Sequence, residues 1–294
     1  MRTATPHQLC SSAFGQLTKA AHEPLVARLC HRWRHRLLAL SGLYASAICA
    51  QGLPASTMPV TALSPLVTAT GLVNPAWRVV GFPKKQADIP PTRFEAAVQD
   101  GQPAIRVQTQ QSYGTLVQTW RGPLPGALTW RWRLDQALSG GKGTPDLLTK
   151  AGDDAALKVC VMFEHALERL PFWERTTLRL ARSVSGEDLP AATLCYVWDS
   201  ARPAGLEAAN PYTRRVRFIS LRGSEAPLGQ WQAETRDVAQ DFARLFADEL
   251  PQGATTPPAQ LPAITTVLLG ADSDNTASTS LGWVADVRWG RVGH

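Results

Sequence analysis

Trp130-Arg131-Trp132-Arg133, inside the run Leu128–Leu134, decides how this chain folds. Successive side chains on a β-strand point to opposite faces, so both tryptophans share one face and both arginines the other. A helix would scatter the four residues around its circumference. One face of such a strand must enter a core, because a sandwich buries one side of each sheet. With the tryptophans inside, Arg131 and Arg133 line the surface and are available to pair with Asp153, Asp154 or Asp199. With the tryptophans outside, their rings make a platform for stacking a sugar. The buried arrangement is favoured, because large aromatic side chains supply most of a core's apolar area.

The same short-strand character runs outward in both directions. Arg93–Gln99 and Ala104–Gln108 flank Asp100-Gly101, a pair typical of tight hairpins. Further β-like runs are Thr115–Trp120, Leu157–Phe163, Thr193–Trp198, Arg215–Leu221, Gln230–Arg236, Ile264–Ala271 and Gly282–Trp289. Glycine and proline punctuate them, and no alternation of strand with helix would build a parallel sheet. The expectation is an all-β jelly-roll sandwich with two short covering helices at Pro171–Ser183 and Val238–Leu250. The second has Val238, Phe242, Leu245, Phe246 and Leu250 close to a helical period.

Charge is distributed unevenly. The 294 residues carry a formal charge of +6. Residues 1–50 hold Arg2, Lys19, Arg28, Arg32, Arg34 and Arg36 against Glu23, a net of +5, which leaves +1 for the other 244 residues. A nearly neutral remainder has no footprint for a phosphate backbone, so nucleic acid is not an expected partner. After the basic cluster comes an apolar run, Leu37–Ala50, too short to span a bilayer but suited to the core of a signal peptide. Small residues at Ala45, Ala47 and Ala50 offer cleavage positions. Residues 1–50 are therefore read as a leader, 51–72 as a Pro/Ser/Thr/Ala-rich tether, and 73–294 as the sandwich domain. The expected location is periplasmic or secreted, with no membrane span once the leader is removed.

Three of the five cysteines fall in the leader, leaving Cys160 and Cys195. An oxidising compartment permits a bridge between them if their strands are neighbours, and two buried thiols are the alternative.

Familiar catalytic signatures are missing. No G-x-S-x-G elbow accompanies His165 or His294, and no C-x-x-C is present. The loop Gly140-Gly141-Lys142-Gly143-Thr144 fails as a phosphate loop, because Gly143 follows the lysine where Ser or Thr is required. It reads instead as a flexible loop. Acidic turns at strand ends remain: Lys150-Ala151-Gly152-Asp153-Asp154 before one strand, Asp199 after another, and Asp272-Ser273-Asp274-Asn275 after a third. The ligand-binding set expected from them is Lys150, Asp153, Asp154, Asp199, Asp272 and Asp274, with Arg131 or Arg133 as cationic partners. Oxygen donors of this kind also suit Ca²⁺, for which Asp272, Asp274, Asn275 and Asp286 are the candidate ligands. The plainer reading is that these residues shape turns through their own side-chain hydrogen bonds.

Five stretches in one order carry a family resemblance: the Trp130–Arg133 strand, LTKAGDD (Leu148–Asp154), SGEDLPAATLCYVWDS (Ser185–Ser200), NPYTRRVRFISLRGS (Asn210–Ser224) and GADSDNT (Gly270–Thr276). Together they make residues from about Phe94 to Trp289 resemble the domain of unknown function 3047 family. The resemblance implies an exported bacterial protein with a jelly roll similar to galactose-binding and carbohydrate-binding modules. It implies no activity and no catalytic residue. A non-catalytic module binding a glycan or another polar ligand is the leading expectation. A polysaccharide hydrolase using paired carboxylates is the rival, and a structural envelope component the third.

Overall fold

The computed structural model describes residues 62–81, 88–164, 191–250 and 261–290, all within one compact unit, Ser56–His294. Twelve strands are present among them: β1 (Arg78–Val80), β2 (Arg93–Gln99), β3 (Gln102–Gln110), β4 (Tyr113–Gly122), β5 (Ala127–Ser139), β6 (Leu157–Phe163), β7 (Ala192–Trp198), β8 (Glu207–Ala209), β9 (Val216–Arg222), β10 (Gln232–Asp237), β11 (Ile264–Asp272) and β12 (Thr279–Gly290). They form a seven-stranded sheet, β1-β4-β11-β6-β7-β9-β8, and a five-stranded sheet, β10-β5-β12-β3-β2. Pairing between these strands is antiparallel except for β7 with β9. The protein is an all-β sandwich of the jelly-roll kind. The Asp100-Gly101 turn joins β2 to β3 with both residues at positive φ, 51° and 76°, the conformation a two-residue hairpin requires.

The tryptophans of β5 face inward. Trp130 and Trp132 are both almost fully buried. Their rings meet edge to face at 5.5 Å, and Trp132 meets Trp198 of β7 at 5.6 Å. Trp130 lies 5.2 Å from Tyr196. This aromatic column joins the two sheets, with Ile105, Leu134, Leu157, Val159, Leu269 and Val284 in the same core. Two of its polar groups are paired: the Trp132 indole donates to Glu234 at 2.9 Å, and the Tyr196 hydroxyl donates to Asp241 at 2.9 Å. The outer face of the seven-stranded sheet is apolar as well. Val117, Cys160, Cys195, Val197, Phe218 and Leu268 lie there, with Leu147 and Ala155 from the loop before β6 packed on them. Cys160 and Cys195 are register partners on β6 and β7 and form a disulfide, Cα to Cα 4.1 Å.

Helix α1 (Val238–Leu245) starts where Asp237 accepts from the Ala239 and Gln240 amides at 3.1 Å. Phe242 packs on Phe163 at 4.3 Å. The helix is shorter than its sequence pattern: a 3-10 turn, Ala247–Glu249, follows, and Leu250 is extended. Pro251 comes next, and a residue before proline is pushed out of helical geometry.

Residues 62–72 are not a tether. Leu63 and Leu66 belong to the core, the Trp77 indole donates to Ser64 O at 3.0 Å, and Thr68–Leu72 closes a turn. Two leucines among small polar residues suffice to anchor the segment. The leader, residues 51–61 and the helix expected at Pro171–Ser183 lie outside the described residues.

Candidate functional site

Strands β6 and β11 are antiparallel neighbours, with Lys158 opposite Gly270. The start of β6 and the end of β11 therefore share one edge of the sheet. Lys150–Asp154 leads into the first and Ser273–Thr276 leaves the second, so the two acidic turns meet. Gly152 is held against Asp146 and Thr144; a Cβ there would sit 2.5 Å from Asp146 N and 2.6 Å from Thr144 O, so only glycine fits. The glycine loop braces the same place. The amides of Lys142 and Gly143 donate to Thr276 O at 2.9 and 3.1 Å, and a Cβ on Gly141 would overlap Thr276. These glycines serve close approach rather than the flexibility their sequence suggests.

Two of the acids are posts. Asp154 is 2% exposed and accepts from Thr276 N (2.7 Å), Thr276 Oγ1 (2.5 Å), Asn275 N (3.2 Å) and Asn275 Nδ2 (3.3 Å). Asp272 accepts from Ala155 N at 2.7 Å and from Lys158 Nζ at 2.5 Å. Burial alone would pull the Lys158 ammonium below its ordinary value, yet Asp272 beside it more than offsets this and holds it raised.

Two other acids stand in front, partly exposed. Asp153 accepts from Asn210 Nδ2 at 2.6 Å. Burial first, then the like charge of Asp272, push its carboxyl up to about 6, against the opposing pull of Asn210 and Lys158. The carboxyl of Asp274 is pushed up to about 7 by burial and by Asp272 and Asp154. Among the described residues its carboxylate is bonded by its own backbone amide and no other side chain. The third wall is the Asn210–Thr213 turn. The Tyr212 hydroxyl lies 2.8 Å from Lys150 O and 3.0 Å from Asn275 Oδ1, and the Lys150 ammonium sits 5.4 Å from the Tyr212 ring. The sequence reading missed Asn210, Tyr212 and Lys158. The first two lie in the motif NPYT, whose chemistry is visible only when the turn is folded against β6.

Not every expected residue joins this cluster. Asp199 accepts from the Ala201 and Arg202 amides of its own turn at 2.8 and 3.1 Å, and its buried Oδ2 has no hydrogen-bond partner among the described residues. Arg131 and Arg133 do not pair with Asp153, Asp154 or Asp199. Inward tryptophans send both arginines to the outer face of the five-stranded sheet, whereas the acidic turns border the seven-stranded one. There Arg131 pairs with Asp286 at 2.6 Å and lies 5.3 Å from the Trp231 ring. Arg133 pairs with Asp135 and Asp100, each at 2.6 Å.

The four residues suggested for Ca²⁺ do not fit it. Asp286 is on β12, bound to Arg131, while Asp272 is spent on Lys158 and Ala155. Among the described residues, no group of three acidic, histidine or cysteine side chains is arranged to hold a metal ion. Calcium needs six to eight oxygens converging on one point.

The family model described as Protein of unknown function (DUF3047) matches residues 75–288. The chain belongs to that family. The match spans the sandwich from just before β1 into β12, and so includes all three turns of the acidic cluster. No curated protein matches this DUF3047 chain. Among solved structures, it is similar to the K3 cleaved adhesin domain of Lys-gingipain from Porphyromonas gingivalis w83, at 11% identity over 77% of this chain and 98% of that one, TM-score 0.32. It is also similar to the family 30 carbohydrate-binding module of a cellulosomal cellulase of Clostridium thermocellum, at 11% identity over 76% and 91%, TM-score 0.29. Likeness at this level carries nothing about what the DUF3047 domain binds.

Proposed function

We propose that this chain is an exported, non-catalytic domain that binds a carbohydrate or another polar ligand at the cluster of Asp153, Asp274, Asn210, Tyr212 and Lys150. The carrying observation is the Asp274 carboxylate, half-buried beside two like charges and unmatched by any described side chain. Such a group is costly to keep in a fold without a use. Hydroxyl donors from a sugar would satisfy it, Asp153 on the adjoining turn would accept a second hydroxyl, and the Tyr212 ring offers an apolar surface to the ligand. Export is supported by the basic and apolar pattern of residues 28–50. The bridge between Cys160 and Cys195 also supports it, because disulfides persist in oxidising compartments. Among the described residues, no helix is long and apolar enough to cross a membrane.

The test is a saccharide array followed by calorimetry on the wild type, Asp274→Asn and Asp153→Asn. Saturable binding that both substitutions weaken supports the reading. A wild type that binds no saccharide overturns it. Cell fractionation checks export, with cytoplasmic retention as the contrary result.

One observation favours a second reading. Two carboxyls on adjoining turns, pushed up to about 6 and about 7, have the protonation needed for acid/base work at neutral pH. A hydrolase would release reducing ends from a cell-wall or exported polysaccharide, and Asp274→Asn would abolish that release. Binding without turnover leaves the first reading standing.

A further inference from the structure

A polar hollow lies at one end of the five-stranded sheet, lined by none of the residues of the acidic cluster. It has a volume of about 340 Å³ and is lined by Asp88, Arg93, Gln108, Gln110 and Gln111, with Pro90, Pro91 and Ser112 completing the wall. The volume matches the lower end of small-molecule pockets.

Its walls are pinned. Tyr113 N donates to Pro90 O at 3.1 Å, and Thr92 N donates to Tyr113 O at 3.2 Å. The Thr92 hydroxyl donates to Ala271 O at 2.8 Å. Gln111 is held at a left-handed φ of 50°, with its amide donating to Ser278 O at 2.9 Å. A non-glycine residue seldom adopts that conformation unless its surroundings impose it.

Its chemistry is also specific. Arg93 and Gln108 are register partners on β2 and β3, so they face the same way. Two residues along β2, Glu95 is already engaged by Arg106 at 3.2 Å. Arg106 also donates to Gln108 Oε1 at 2.9 Å, which occupies the oxygen and leaves the Gln108 NH₂ as the donor end. Arg93 is exposed and has no ion-pair or hydrogen-bond partner among the described residues. The side-chain amides of Gln110 and Gln111 are likewise unspent. Asp88 is the one acidic residue of the lining.

The geometry points to a site for a sugar acid: a carboxylate taken by the Arg93 fork, and ring hydroxyls shared among the three glutamine amides and Asp88. A planar guanidinium engages a carboxylate through two parallel N–H bonds. Carboxamides both donate and accept, which is what a ring of hydroxyls requires. A neutral sugar would leave the guanidinium unmatched. A simple carboxylate would leave the amides unmatched.

The probes are D-glucuronate, D-glucose, acetate and alanine, followed by ligand-observed NMR and calorimetry on the full chain. Glucuronate is expected to bind saturably, and each of the other three at least about tenfold more weakly. Arg93→Met should weaken glucuronate at least about tenfold, and Gln110→Ala should weaken it several-fold. Asp274→Asn should leave glucuronate binding here unchanged, which separates this site from the acidic cluster. Absence of saturable glucuronate binding overturns the proposal. So does binding that survives Arg93→Met, tighter binding of alanine, or loss through Asp274→Asn instead.

Discussion

Lys158 and Asp272 form an ion pair of 2.5 Å across β6 and β11, with both side chains largely out of solvent. The pair fixes the corner from which the acidic turns spring. Lys158→Met would leave a buried carboxylate beside Asp153, Asp154 and Asp274 with its cation removed. Breaking a buried pair from one side costs about 3–5 kcal/mol, and chemical denaturation should show a loss of that size. The double variant Lys158→Met with Asp272→Asn should recover much of it, because Asn retains an oxygen for Ala155 N and carries no charge.

The front carboxyls set a pH dependence. Asp153 and Asp274, at about 6 and about 7, hold protons more tightly folded than unfolded, where carboxyls titrate near 4. Their contribution to stability is therefore greatest at acid pH, falls as pH rises from about 4 to about 7, and is level above that. Asp146 and Asp248, held low by the Leu148 amide and by Arg217 respectively, act in the opposite sense and only below about 4. Asp274→Asn should flatten the decline between pH 5 and 7 and raise the melting temperature at pH 8. Unfolding midpoints measured across that range check both expectations.

Removing the Cys160–Cys195 bridge should cost about 3–4 kcal/mol on the chain-entropy account, since 35 positions separate the two cysteines. The comparison is urea unfolding of the wild type against the double serine variant. A reductant should shift the first and leave the second unmoved.

Asp286 holds a left-handed φ of 55° where the β12–β5 register slips between Ala285 and Arg288, the mark of a β-bulge. Asp286→Gly should keep the backbone and lose only the partly exposed Arg131 pair, about 0–1 kcal/mol. Asp286→Val should lose more, about 1–3 kcal/mol, because a β-branched side chain resists that region. Thermal unfolding of the two variants separates backbone strain from charge.

Alternation made most strands readable. Trp130 to Arg133 told inside from outside, and Arg93–Gln99 and Leu157–Phe163 match the observed bounds of β2 and β6. Strands β1 and β8 were invisible because three residues show no period. Residues 62–72 misled because proline and serine content outweighed two leucines. The meeting of the Asp153-Asp154 turn with the Asp274-Asn275 turn was legible, since both flank strands. Its third wall was not, because Asn210 reaches Asp153 only through a sheet order no local pattern encodes. Arg131 and Asp286 were misassigned for the same reason: which sheet a strand joins is a property of the whole chain. Gln108, Gln110 and Gln111 carry no chemical signal until a cavity gathers them.

The outermost strands of the sandwich have a consequence for assembly. On the seven-stranded sheet they are β1 and β8, each only three residues long. On the other they are β2 and β10, which carry Arg93 and Glu95, and Glu234 and Arg236. Stub-like or charged borders give a foreign strand little backbone to zip against and discourage stacking of one copy on the next. Whatever docks on this domain therefore reads side chains and turns, and a dense array of such domains would stay dispersed rather than fuse into fibres.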